Sequence, residues 1–139
     1  MTFIQNVFPT IAKFPRKGVA QILPADTTAQ KTVITAGASG NKVVSLNASS
    51  TDTAVVDIAV SLVRSATTYL LATTRLPIGA GFTQGVPAVD LLALIAGLPL
   101  DQDAQKYLFL ESGDTLVVNA LVTITAAKVV SIYADHAEF

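Results

Sequence analysis

The chain lacks cysteine and tryptophan, has one histidine and one methionine, and only 14% of its 139 residues are charged. Without cysteine there is neither a disulfide framework nor a thiolate metal site. Catalytic zinc sites usually need several histidines, so one histidine argues against them and against the metal-binding form of the cupin barrel. Charge is scarce next to the usual share of roughly 25%. Nine basic and ten acidic side chains leave a formal charge of −1. That balance offers no basic face for nucleic acid. Long hydrophobic runs are missing too: the uncharged stretches 76–89 and 115–127 fall short of the about 20 residues that span a bilayer. At the N-terminus, Lys13, Arg16 and Lys17 follow the apolar residues instead of preceding them, and two prolines interrupt the segment, unlike a secretion signal. A soluble chain is expected, with no membrane partner. A surface so thinly charged is also expected to be partly buried against other chains.

The residues that could carry chemistry are few and poorly placed for it. His136 lies three residues from Phe139, and a Ser-His-Asp site needs an imidazole oriented in a packed pocket, so a surface histidine is expected. Asp101 and Asp103 in LDQDAQKYLFLESGD begin like a calcium loop. The EF-hand pattern, however, needs an oxygen ligand at Gln105, glycine at Lys106 and glutamate at Ser112. Asp114, after Gly113, reads as the polar corner of a hairpin. IGAGFTQG holds Gly79, Gly81 and Gly85, but a dinucleotide loop would put glycine at Gln84 and a P-loop needs Gly-Lys-Ser/Thr. Paired carboxylates at glycosidase spacing arise by chance among ten acids. Lys31, Lys42, Arg64, Arg75, Lys106 and Lys128 are scattered one to an element, as solubility and edge protection would place them. The expectation is no enzyme, no cofactor and no metal.

What the chain does have is strand text. KTVITA stops at GASGN, and KVVSLNASS runs to the turn TDT. AVVDIAVSLVR alternates with Val56, Ile58, Val60 and Leu62 on one side, then TTYLLATTRLP runs to Pro77. Residues 78–106 have a different texture: a glycine-rich loop, a short helix or loop insertion around 89–97, and a polar turn. YLFLES, TLVVNALVTI and KVVSIYA resume the sheet pattern, the second with Leu116, Val118, Ala120, Val122 and Ile124 on one side. Short strands with turn signals at roughly ten-residue intervals predict an all-β antiparallel sandwich or jelly roll over 31–139. Residues 1–30 are set apart as an N-terminal arm and first strand. Phe3, Phe8 and Phe14 crowd this segment beside Lys13, Arg16 and Lys17. Two readings stand: a strand folded on its own core, or an arm that docks on a neighbouring subunit.

SATTYLLATTRLPIGAGF, VDLLALIAGLPLDQDAQKYLFLESGDTL and TAAKVVSIYA together resemble the capsid cement, or decoration, proteins of tailed bacteriophages, of jelly-roll type. The likeness covers roughly residues 31–139 and rests on strand order, size and the Leu-Pro-rich insertion before YLFLESGDTL. It implies a virion protein, made in the host cytoplasm, on the outer surface of a capsid. It would form a dimer or trimer there and clamp neighbouring subunits of the major capsid protein. Phe3, Ile4, Phe8 and Phe14 are then the expected anchors on a partner, with Lys13, Arg16 and Lys17 at the rim. Other readings are a tail or baseplate component and a carbohydrate-binding sandwich presenting Tyr69, Tyr107 or Tyr133.

Overall fold

A computed structural model describes residues 14–139, and within them nine strands form two antiparallel sheets. The strands are β1 (Phe14–Ile22), β2 (Lys31–Thr35), β3 (Asn41–Ser50), β4 (Val56–Arg64), β5 (Thr67–Leu76), β6 (Val89–Asp90), β7 (Leu108–Leu110), β8 (Thr115–Ala120) and β9 (Val130–Glu138). Short 3-10 turns occupy Pro24–Asp26 and Leu92–Leu94. One sheet has the order β1-β9-β3-β6, with β7 also on β3; the other has the order β2-β8-β4-β5.

The pairings are nested. β1 pairs with β9, β2 with β8, β3 with β7, and β4 with β5, all antiparallel. The chain is thus one long folded-back ribbon rolled into two facing sheets, which is the jelly roll. Segment 31–139 supplies β2–β9. β1 lies within residues 1–30 and pairs in unbroken register with β9 from Phe14↔Glu138 to Ile22↔Val130.

Alternation builds the core. Ile22, Val43, Leu46, Ile58, Leu76, Leu110, Leu116 and Ile132 are fully enclosed between the sheets. Where the register slips, the extra residue turns outward: Val44, at the irregularity in β3 between Val43 and Ser45, is exposed. β1 can lie close to β2 because Gly18 has no side chain. A Cβ there would come within 2.7 Å of the Val33 carbonyl oxygen.

Three details differ from the sequence reading. β8 stops at Ala120, so Val122 is exposed while Ile124 returns to the core from a turn. Beyond Ala120 the chain leaves the sheet, and the buried Asp52 carboxylate accepts the Thr125 N–H at 2.9 Å where the chain returns to the core. β9 continues past Ala134 to Glu138, paired on both sides by β1 and β3. That double pairing buries His136, which the sequence placed at the surface.

Candidate interaction surface

The partners of the ionic side chains decide what is left to meet another molecule. Arg64 makes a two-pronged contact with Asp114, Nε to Oδ1 at 2.8 Å and a terminal nitrogen to Oδ2 at 2.6 Å. Asp114 is buried and also accepts the Glu111 N–H at 2.9 Å, so it is the polar hairpin corner expected from the sequence. The Arg64 guanidinium holds the Asp114 carboxyl below its ordinary pKa. Arg75 grips Asp57 in the same two-pronged way, at 2.7 and 3.1 Å. Lys42 Nζ is 2.9 Å from Asp101 Oδ2 and 5.1 Å from the Tyr107 ring centre. The other Asp101 oxygen accepts the N–H groups of Asp103 and Gln105 at 2.9 and 3.0 Å. Asp101 is therefore a turn brace, held below its ordinary pKa chiefly by Lys42. Among the described residues, no group of three His, Asp or Glu is placed to hold a metal ion.

The proposed rim and anchor residues divide between two regions. Phe3, Ile4, Phe8 and Lys13 lie outside the described residues, while Phe14, Arg16 and Lys17 are on β1. Phe14 is about half exposed at the start of the strand. Arg16 is 3.6 Å from Glu138. Lys17 is bonded to Asp135 and sits 5.0 Å above the Tyr133 ring, and these contacts, Asp135 foremost, push its pKa up to about 12. The two cations therefore tie β1 to its own neighbour β9. Beyond them Val19 and Tyr133 stand opposite one another in register, both exposed, at the side of a groove of about 560 Å³ completed by Leu23 and Lys31.

A second apolar surface lies on β5, at the outer edge of the other sheet, where Tyr69 and Leu70 are more than half exposed. The hairpin between β4 and β5 turns on Ser65 and Ala66, both with positive φ, at 50° and 62°. Two such residues in a two-residue loop make a type I′ turn, whose twist suits a hairpin. The sequence offers Tyr69 only as a sugar platform, and Leu70 looks like an ordinary strand residue until the strand order makes β5 an edge. Of the three tyrosines offered as sugar platforms, Tyr107 is buried, and Tyr69 and Tyr133 belong to different sheets.

No family model and no curated protein matches the chain. Among solved structures it is similar to chains of infectious bursal disease virus. For the Gx strain the identity is 9%, over 97% of this chain and 44% of that one, with a TM-score of 0.23. For the Gt strain the identity is 13%, over 98% and 46%, with a TM-score of 0.22. The chain spans less than half the length of those virus chains, and TM-scores of this size carry neither a fold nor a function from them to this protein.

Proposed function

We propose that this chain is a structural virion protein that acts by adhesion: it binds the outside of a phage capsid and cements neighbouring major capsid protein subunits, without catalysis. The observation that carries the reading is the division of its surface. Six described cations are committed to ion pairs within the fold. Large apolar side chains at Val19, Tyr133, Tyr69 and Leu70 face solvent. Apolar anchors with tied charges at the rim are where contact energy concentrates when water is excluded. The jelly roll provides a rigid wall for them, and the phage cement proteins that the sequence resembles share that fold. A protein that binds the assembled shell and not its separate subunits stabilises the shell by mass action, by about 2.7 kcal/mol when present at a hundred times its Kd.

The test is co-sedimentation with DNA-free heads of the phage that carries the protein, using the full chain and a form lacking residues 1–13. That cut leaves β1 whole, whereas removing 1–17 would take its first four residues. The full chain is expected to pellet with heads and to raise their disruption temperature, and the shortened form, which keeps the apolar residues of β1, β5 and β9 but lacks the expected anchors Phe3, Ile4 and Phe8, to pellet less. A full chain that stays in the supernatant overturns the reading.

A further inference from the structure

We infer that the tip of β5 is a self-association edge, at which two copies pair antiparallel across a two-fold axis with Tyr69 opposite Tyr69. The inference deepens the adhesion reading and rests on it, by naming one surface and its partner. The four sheet edges are not alike. β1 carries Pro15, Arg16 and Lys17 and lies against β2 at Gly18. β2 is five residues long with a broken register between Thr32 and Ile34. β6 and β7 have two and three residues. Proline, charge, shortness and irregularity are the usual means by which an edge avoids pairing with another chain. β5 is ten residues long and has no proline. Its one charge, Arg75, is held by Asp57. No described strand pairs with its outer side.

The register narrows the contact. Because the turn has two residues, Arg64 and Thr67 form the closing hydrogen-bonded pair of the hairpin. Alternation then makes Thr68 (opposite Val63) and Leu70 (opposite Ser61) the residues whose N–H and C=O point away from β4. Past Leu70 the ladder slips, since Val60 pairs with Ala72 and Leu71 is the extra residue. The clean edge is therefore Thr67–Leu70. An incoming strand must place its own outward groups on Thr68 and Leu70, and a second copy does so with Thr68 on Leu70 and Leu70 on Thr68. Tyr69 then meets its own counterpart in a close, non-hydrogen-bonded pair, where cross-strand aromatics interact well. Exposed apolar residues at that spot and the absence of an unpaired charge on β5 suit a like partner.

The native chain has no cysteine, so single substitutions report the geometry directly. Opposed Cα atoms in a non-hydrogen-bonded pair lie within disulfide range. Tyr69→Cys is expected to give a covalent dimer under mild oxidation, and Leu94→Cys, exposed on the 3-10 turn away from β5, to form no covalent dimer under the same conditions. By light scattering after size exclusion the native chain is expected to be a dimer over a concentration series. Tyr69→Lys, a change at an exposed residue, is expected to be a monomer with unaltered far-ultraviolet circular dichroism. A native monomer or trimer, a dimer that survives Tyr69→Lys, or equal cross-linking of the two cysteine variants overturns the inference. A native monomer is also the result if residues 1–13 of the same chain cover the edge. A monomer that still pellets with heads removes this edge and keeps the adhesion reading. A Tyr69-linked dimer that ignores heads does the reverse.

Discussion

Asn41 on β3 and His136 on β9 meet inside the sandwich, with Asn41 Nδ2 2.8 Å from His136 Nδ1. Asn41 Oδ1 accepts the Gly37 N–H at 2.8 Å, so its amide nitrogen is the group turned to the ring. The imidazole accepts at Nδ1 and is therefore neutral, with its proton on Nε2. Burial lowers its pKa, the Arg16 charge adds to that, and Asp135 opposes it.

A pH dependence follows from that pair. The folded pKa of His136 lies below the unfolded value of about 6.5, so on acidification the unfolded chain takes up the proton first. Its contribution to stability is whole above about pH 7 and declines as pH falls through the unfolded value. The unfolding midpoint is expected to drop between about pH 7 and pH 5, and His136→Gln to flatten that step. A midpoint that holds steady across this window in the native chain contradicts a buried neutral imidazole.

The Arg64–Asp114 contact acts in a lower window. Asp114 has a depressed folded pKa, so what it contributes is present above its unfolded value of about 3.9 and is lost as pH falls below that. Asp114→Ala leaves the Glu111 N–H without its acceptor and the Arg64 fork with only the Glu111 carboxylate, 3.5 Å away. The expected loss is on the order of 2 kcal/mol in urea unfolding at neutral pH. The native and variant curves should converge in strong acid, and a constant gap down to about pH 2 contradicts the assignment.

The β4–β5 turn is under local strain, because Ser65 and Ala66 both occupy the left-handed region. Ala66→Gly is expected to stabilise the fold by about 0.5–1 kcal/mol, the relief of the left-handed cost exceeding the added chain entropy. Ala66→Val is expected to destabilise it, as a β-branched residue resists positive φ. Denaturant midpoints that move in the opposite order would rule out this turn.

Close approach of β1 to β2 predicts the outcome at Gly18. An alanine Cβ would sit 2.7 Å from the Val33 carbonyl oxygen and 2.9 Å from Ile34 Cγ1. The backbone atom cannot swing aside, so Gly18→Ala is expected to cost about 1–3 kcal/mol. A neutral substitution in thermal melts would mean that β1 stands off from β2.

Much of the sandwich was legible because alternation and turn residues are local signals. Val56, Ile58 and Val60 mark β4 without ambiguity, and Pro77 follows the last residue of β5. The misread parts depend on partners far away in sequence. Leu121 and Val122 continue the apolar run of β8, but the strand ends at Ala120 and the segment after it is held by Asp52, 73 residues from Thr125, whose N–H it accepts. The polar pair Asp135-His136 looks like a fraying tail until β1 and β3 are placed on either side of it. Site residues were harder to see. Arg16 and Lys17 looked like free rim charges because Glu138 and Asp135, their partners, stand at the other end of the chain. Tyr69 stood out only as one of three candidate sugar platforms and Leu70 not at all, since only strand order distinguishes an edge from an interior strand.

The nested order of pairings also constrains how the molecule acquires its shape. β4 and β5 are joined by two residues and can zip on the order of 1–10 μs, as isolated hairpins do. Each outer pair then closes a longer loop, at an added entropic cost of about 0.6 kcal/mol per doubling of length. Assembly is thus expected to run from the middle of the chain outward, at the slow rates of topologies rich in distant contacts. β9 is inserted late between β1 and β3, and until it arrives both of those strands carry raw edges.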